Sequence, residues 1–351
     1  MKYILPMLML FFLLPVPASA STDTASFFTA PTVPSSAEDK MPEKIASFGE
    51  GLSELLRKAL FTVRPDLRDA VKISLSLVAS VLAVGILQTF SGSVKAIAEL
   101  AGTVCIAGTL LSNTNAMIHL GAETVQEMSE YGKLLYPVMT AALAAQGGIT
   151  TSAALYAGTA AFISMLGSLI AKLLLPMVYI FLALAVASSA LSEPVVNRMK
   201  AMVMGLVGLC LKILLTVFTT YLSVTGVVSG TTDAAALKAA KVTIASVVPV
   251  VGSILADASE SVLVSAALAK NAAGIYGILA VLALFLEPFL KIAIHFVILK
   301  ITCAVCEVLG CKSMTELVDD FSSAMGLLLA MTGSVCLLLL ISTICYMRGT
   351  G

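Results

Sequence analysis

The sequence predicts an all-α polytopic membrane protein with about eight transmembrane helices and two short Pro/Gly-broken segments, arranged as an inverted repeat. Three observations carry this. Of 351 residues, 59% are hydrophobic and 12% charged, about half the charge of an ordinary globular domain. Several apolar runs reach the ~20 residues a helix needs to cross the hydrocarbon core. Two further stretches, YPVMTAALAAQGG from Tyr136 and VPVVGSILADASE from Val248, are too short to cross comfortably alone, yet they match one another.

The chain opens with MKYILPMLMLFFLLPVPASA, which has one Lys, a short apolar core over 4–14 and the small-x-small pattern Ala18-Ser19-Ala20. Residues 1–20 therefore read as a cleaved signal peptide, placing the mature N-terminus outside the cytoplasm. Residues 21–70 read as an extracytoplasmic soluble segment, since 14 of the 42 charged residues fall within 21–69. Inside it Ile45, Phe48, Leu52, Leu55, Leu56 and Ala59 recur at helical spacing, with Glu50, Glu54, Arg57 and Lys58 opposite and Pro65 at the end. That pattern predicts an amphipathic helix lying on the membrane or docked on a partner.

The remainder, 71–351, reads as the transmembrane domain, with spans near 71–90, 100–120, 149–171, 173–191, 201–228, 261–286, 289–309 and 324–346. The short pieces 134–145 and 243–256 reach only about 20 Å at 1.5 Å per residue, against a core of ~30 Å. They align as copies, Pro137 on Pro249, Val138 on Val250, Leu143 on Leu255, and the SAAL at Ser152 on the SAAL at Ser265 after one gap. Pro176 and Pro288 extend the match, each 39 positions beyond its partner proline. The repeat units so defined are about 100–191 and 201–310. If each short segment re-enters on its own side, a unit makes three crossings and the second copy is inverted, the plan of many transporters. Full crossing would make the repeat parallel. Loop charge does not choose, because Arg198 and Lys200 favour one topology while Glu316, Asp319 and Asp320 add nothing.

Ionisable groups inside spans are costly and tend to face an interior or a cavity. Asp257 and Glu260 fall at the break of the second hairpin, Lys270 and Asn271 in the following span, and Pro137, Gln146, Pro249 and Gly252 at the bends. Together they form a candidate polar path. Competing with that is a solvated turn flanked by snorkelling lysines. Lys212, Lys291, His295 and Lys300 complete the set of ionisable candidates.

Enzymatic chemistry finds little support. There is no HExxH, and His119 and His295 are the whole histidine complement, so a three-histidine zinc site is excluded. No GxxxxGK[ST] is present. Cys303-x-x-Cys306 lacks a second pair, and the seven cysteines lie mostly in apolar runs, where a thiol behaves as a small hydrophobe. No cofactor, metal or catalytic residue is expected. A formal net charge of zero gives no field for nucleic acid.

PVVGSILADASESVL from Pro249, followed by SAALAKNAAGIYGIL from Ser265, resembles the characteristic segment of the stage III sporulation protein AE family. The order of features agrees, with a signal-like start, a soluble segment bearing an amphipathic helix, then apolar spans to a short tail. The resemblance implies a subunit of the channel joining mother cell and forespore, with a permease-like core, lodged in the mother-cell membrane and required for late forespore development. It implies as partners the other stage III sporulation A-set membrane proteins and, through them, the forespore stage II protein Q. The alternative is a stand-alone secondary transporter for a small solute.

Overall fold

In a computed structural model of the chain, the backbone is described for residues 48–87, 93–191, 194–247 and 252–348, and side chains for 48–87, 97–190, 194–225 and 270–348. The expected signal peptide and most of the soluble segment lie outside these residues. Every described element is helical: α1 Phe48–Thr62, α2 Arg64–Leu87, α3 Ser93–Ala145, α4 Ile149–Leu169, a π-helical turn Ile170–Leu174, α5 Leu175–Leu191, α6 Pro194–Val247, α7 Gly252–Val308 and α8 Lys312–Arg348. Six helical rods among them are long and apolar enough to cross a membrane: α2, α3, the joined α4–α5, α6, α7 and α8.

Six replaces the expected eight because prolines do not interrupt the rods. The expected spans 149–171 and 173–191 are one continuous rod. A proline lacks an N–H and its ring collides with the carbonyl four residues back. For Pro176 that carbonyl belongs to Lys172, inside the π-helical turn, whose wider winding relieves the collision. The spans 261–286 and 289–309 are likewise one helix, α7, with Pro288 inside it. The first short piece is no re-entrant segment: residues 134–145 are the last turns of α3, with Pro137 inside the helix.

The bend comes at the glycines instead. Gly147 adopts φ 88°, a left-handed conformation that a side chain would resist. Its N–H donates to the Ala144 carbonyl at 2.9 Å, and the Gly148 N–H to Leu143 at 3.2 Å, capping α3 before α4 begins. In the second unit the described part of α6 runs to Val247, and Pro249 lies outside the described residues. Each unit now consists of two rods, α3 with α4–α5 and α6 with α7. An even number of passes brings the second unit in the same way up as the first, so the three-pass count and the inversion it implied do not carry over.

The axis of the bundle is α8. It packs against α3, α4, α5, α6 and α7, and the consecutive residues Val335, Cys336, Leu337, Leu338, Leu339 and Leu340 are all buried, so that it is covered on every side, as an all-round apolar helix requires. Its hydroxyls bring no unpaired group inside. Thr332, Ser334, Ser342 and Thr343 each donate to the carbonyl four residues back.

The amphipathic helix exists as α1, and it docks on its own chain. Gly51, Leu55 and Ala59 are its buried face, with Gly51 against Leu279 and Leu55 and Ala59 beside Ala283 and Leu286 of α7. Pro65 follows in the first turn of α2, where its missing N–H costs nothing.

Candidate functional site

Two acids near the start of α8 collect lysines from two different rods. Lys200 of α6 donates to Asp320 Oδ2 at 2.5 Å and to Ser188 Oγ of α5 at 3.3 Å. Lys300 of α7 donates to Asp319 Oδ1 at 2.5 Å. Adjacent residues of a helix point about 100° apart, which is why neighbouring aspartates can serve helices on different sides of the axis.

The two pairs differ in burial. Lys200 and Asp320 side chains are each 13% exposed, whereas Lys300 and Asp319 are 42% and 46% exposed. A surface pair contributes about 0–1 kcal/mol. A buried pair rarely stabilises relative to apolar packing, but losing one partner strands the other at a cost of about 3–5 kcal/mol. Lys200–Asp320 is therefore the lock of the site, fixing α5, α6 and α8 in one arrangement. About two turns nearer the bundle end, Ser313 of α8 donates to Glu99 of α3 at 2.7 Å.

Further along α7, Lys291 is bonded to Glu287 at 3.1 Å and lies 3.8 Å from Asp66 of α2. His295 Nδ1 is 2.9 Å from the Lys291 carbonyl, and its ring is buried. So Lys291, His295 and Lys300 are each absorbed in a separate contact. Lys212 is exposed on α6.

A second polar layer sits at the opposite end. Tyr136 and Tyr346 stack at 5.6 Å, both fully buried with Tyr131. Thr140 donates to the Tyr346 hydroxyl at 3.1 Å, and Tyr221 of α6 donates to the Ala154 carbonyl of α4 at 2.8 Å. Asp320 and Tyr346 are 26 residues apart on α8, about 39 Å at the helical rise.

The sequence-predicted path belongs to this second end. Gln146 is buried at the α3–α4 turn, and Lys270 is buried with 4% exposure. Asn271 is half-buried and Pro137 exposed. Gly277 lies against Leu135, so Lys270, seven residues earlier, stands about 10 Å closer to the end, level with the last turns of α3. Gly252, Asp257 and Glu260 belong to the backbone of α7, but their side chains, like Pro249 entirely, lie outside the described residues. Lys270 and Lys300 are about 45 Å apart along α7, so the predicted path and the aspartate lock are separate.

Sequence reading missed the lock. Its signal was present as two consecutive acids opening a long apolar run, but their partners are 19 and 120 positions away, and neither distance follows from local pattern. Cys303 and Cys311 point weak donors at the Thr315 and Val81 carbonyls, and no group of three His, Cys, Asp or Glu among the described residues is placed to hold a metal.

Six long apolar rods, one of them the buried axial helix α8 about which the others pack, with Lys200–Asp320 and Lys300–Asp319 pairs between them, define a multi-pass integral membrane protein. The chain belongs to the stage III sporulation protein AE family, whose sequence profile matches residues 36–350. It is similar to Stage III sporulation protein AE of Bacillus subtilis (strain 168), with 25% identity over 232 residues, which are 66% of this chain. The match spans 58% of that relative's length. No solved structure matches the chain.

Proposed function

We propose that this protein is an integral membrane subunit of the channel complex linking mother cell and forespore, placed in the mother-cell membrane, with a permease-like helical core that serves late forespore development. The single observation that carries the reading is the family match across nearly all of the chain. The fold is compatible with it: locked charge pairs hold the rods in one arrangement, as a scaffold for partners requires, and Lys270 and Gln146 offer buried polar groups at one end. The partners in this reading are the other stage III A-set membrane proteins and, through them, the forespore stage II protein Q.

The test is capture of a tagged full-length chain from mildly solubilised membranes of sporulating cells. Co-recovery of the A-set proteins, with a block late in forespore development when the gene is deleted, is the expected result. Recovery of the chain alone, together with solute uptake by liposomes containing only this protein, would favour the stand-alone transporter.

A further inference from the structure

The outward face of α3 carries a polar stripe. Ser112, Asn115, His119, Glu123, Gln126 and Glu130 are all exposed and follow one another in steps of three and four, so they form one line along the helix. Lys133, also exposed, extends the line by one more step. That spacing is the seam along which a second helix packs in a coiled coil. Gln126 donates to Glu130 at 3.0 Å, and neither Glu123 nor Glu130 joins an ion pair among the described residues.

Contacts between the rods place this stripe at a level where neighbouring rods present apolar side chains. A Cβ added at Gly132 of α3 would stand 3.0 Å from Ile163 of α4, and one at Gly167 would stand 3.2 Å from Ser129, so α3 and α4 run antiparallel. Phe162 of α4 meets Phe218 of α6 at 5.2 Å, and Gly158 meets Tyr221, so α6 runs parallel to α3 with Phe218 about level with Gly132. Met165 of α4 and Ile213 and Val217 of α6, each more than half exposed, therefore stand at the level of the acids. The exposed hydroxyls of α6 nearby, Thr216, Thr219, Thr220 and Ser223, each donate to the carbonyl four residues back and bring no unsatisfied group to lipid. The α3 stripe is thus a local polar face on an apolar exterior, where an uncovered carboxylate is costly.

Lys212 is its complement. It is exposed on α6 beside Leu209 and Ile213 and joins no ion pair among the described residues. Lying six residues, about 9 Å, before Phe218, it is level with Gln126, between the two acids. The α4–α5 rod packs against both α3 and α6, which do not pack on each other, so one copy of the chain does not bring Lys212 to the seam. Lys172 on that intervening rod is exposed too, and the Tyr179–Asn115 hydrogen bond sets it level with Glu123. Copies standing the same way up in one membrane are related by rotation about its normal, which leaves depth unchanged. A lysine and acids at one depth can therefore meet between copies.

We infer that this chain self-associates head to tail within the membrane, the Glu123–Glu130 seam of α3 in one copy packing on the Lys212 face of α6 in the next. Each contact covers carboxylates and a lysine that lipid would leave unpaired. Because seam and lysine lie on different rods, the contact is heterologous, and each added copy presents a fresh seam until rotation closes a ring.

The test is disulfide cross-linking between two differently tagged full-length copies co-expressed in one membrane. One carries Gln126→Cys and the other Ile213→Cys, so both acids and the lysine stay in place. Mild oxidation is expected to give a mixed dimer at least about fivefold above a parent pair, in which the native cysteines set the background. Adding Lys212→Glu to the Ile213→Cys copy is expected to remove most of that dimer, and adding Glu123→Lys with Glu130→Lys to the other copy to restore it. Lys212→Gln, expected to lower the yield at least about twofold, serves the comparison if Lys212→Glu fails to fold. Gln126→Cys copies joined to one another as readily as to Ile213→Cys copies would overturn the inference, because the acidic faces would then meet around common water. So would a mixed dimer no stronger than background, one indifferent to Lys212→Glu, or capture of a different protein by Gln126→Cys in its place.

Discussion

Lys200 Nζ and Asp320 Oδ2, 120 positions apart in the chain, meet at 2.5 Å between α6 and the axial helix α8. Both side chains are 13% exposed, so neither ion can turn to water when the other is removed. Asp320→Leu and Lys200→Met should each destabilise the detergent-solubilised protein by about 3 kcal/mol, while the double variant carrying both changes recovers most of the loss. Thermal unfolding of the four proteins measures the coupling. Additive losses in the double variant would show that the pair does not act as a unit.

Tyr221 rests on Gly158, where an added Cβ would enter its ring, and its hydroxyl reaches the Ala154 carbonyl. Tyr221→Phe removes one hydrogen bond and should cost about 1 kcal/mol. Gly158→Val must push the ring, and α6 with it, away from α4, at a cost of about 1–3 kcal/mol or more. Chemical unfolding ranks the two. If Gly158→Val matches the parent in stability, the α4–α6 packing is wrong.

Gly147 and Gly205 should respond to alanine in opposite directions. At φ 88° an alanine at 147 is strained and should destabilise by about 1 kcal/mol or more. Gly205 lies inside α6 with nothing within 4 Å of an added Cβ, so Gly205→Ala should stabilise by up to about 1 kcal/mol. Losses of equal size at both sites would remove the tight α3–α4 turn from the account.

Because Leu55 and Ala59 of α1 are buried against α7, an acid at either position should release the helix. Leu55→Asp should make the bonds after Arg57 and Lys58 accessible to trypsin, with at least a tenfold faster cut than in the parent. Equal rates would mean that α1 does not dock.

The helical class, the long apolar helices at α2, α6 and α8 and the existence of α1 were legible from periodicity and apolar length. What misled was punctuation. Proline normally ends a helix, but Pro137, Pro176 and Pro288 all lie inside rods, because neighbours or a π turn accommodate the lost hydrogen bond in a membrane bundle. Lys270 was legible as a polar group in an apolar setting, and it is buried. The Asp319–Asp320 lock was not, since which lysine reaches which acid is decided by how α6 and α7 lie around α8.

If the bundle works only when locked through Asp320, reversing either charge of the Lys200–Asp320 pair abolishes its work in the cell. The most direct measurement is the yield of heat-resistant spores from cells whose sole copy is the parent, Asp320→Lys, Lys200→Asp or the exchanged pair. Each single reversal, placing like charges together, is expected to lower yield at least tenfold, and the exchange to restore most of it. Parent-level yield from the single reversals, or an exchange no better than either, would contradict it.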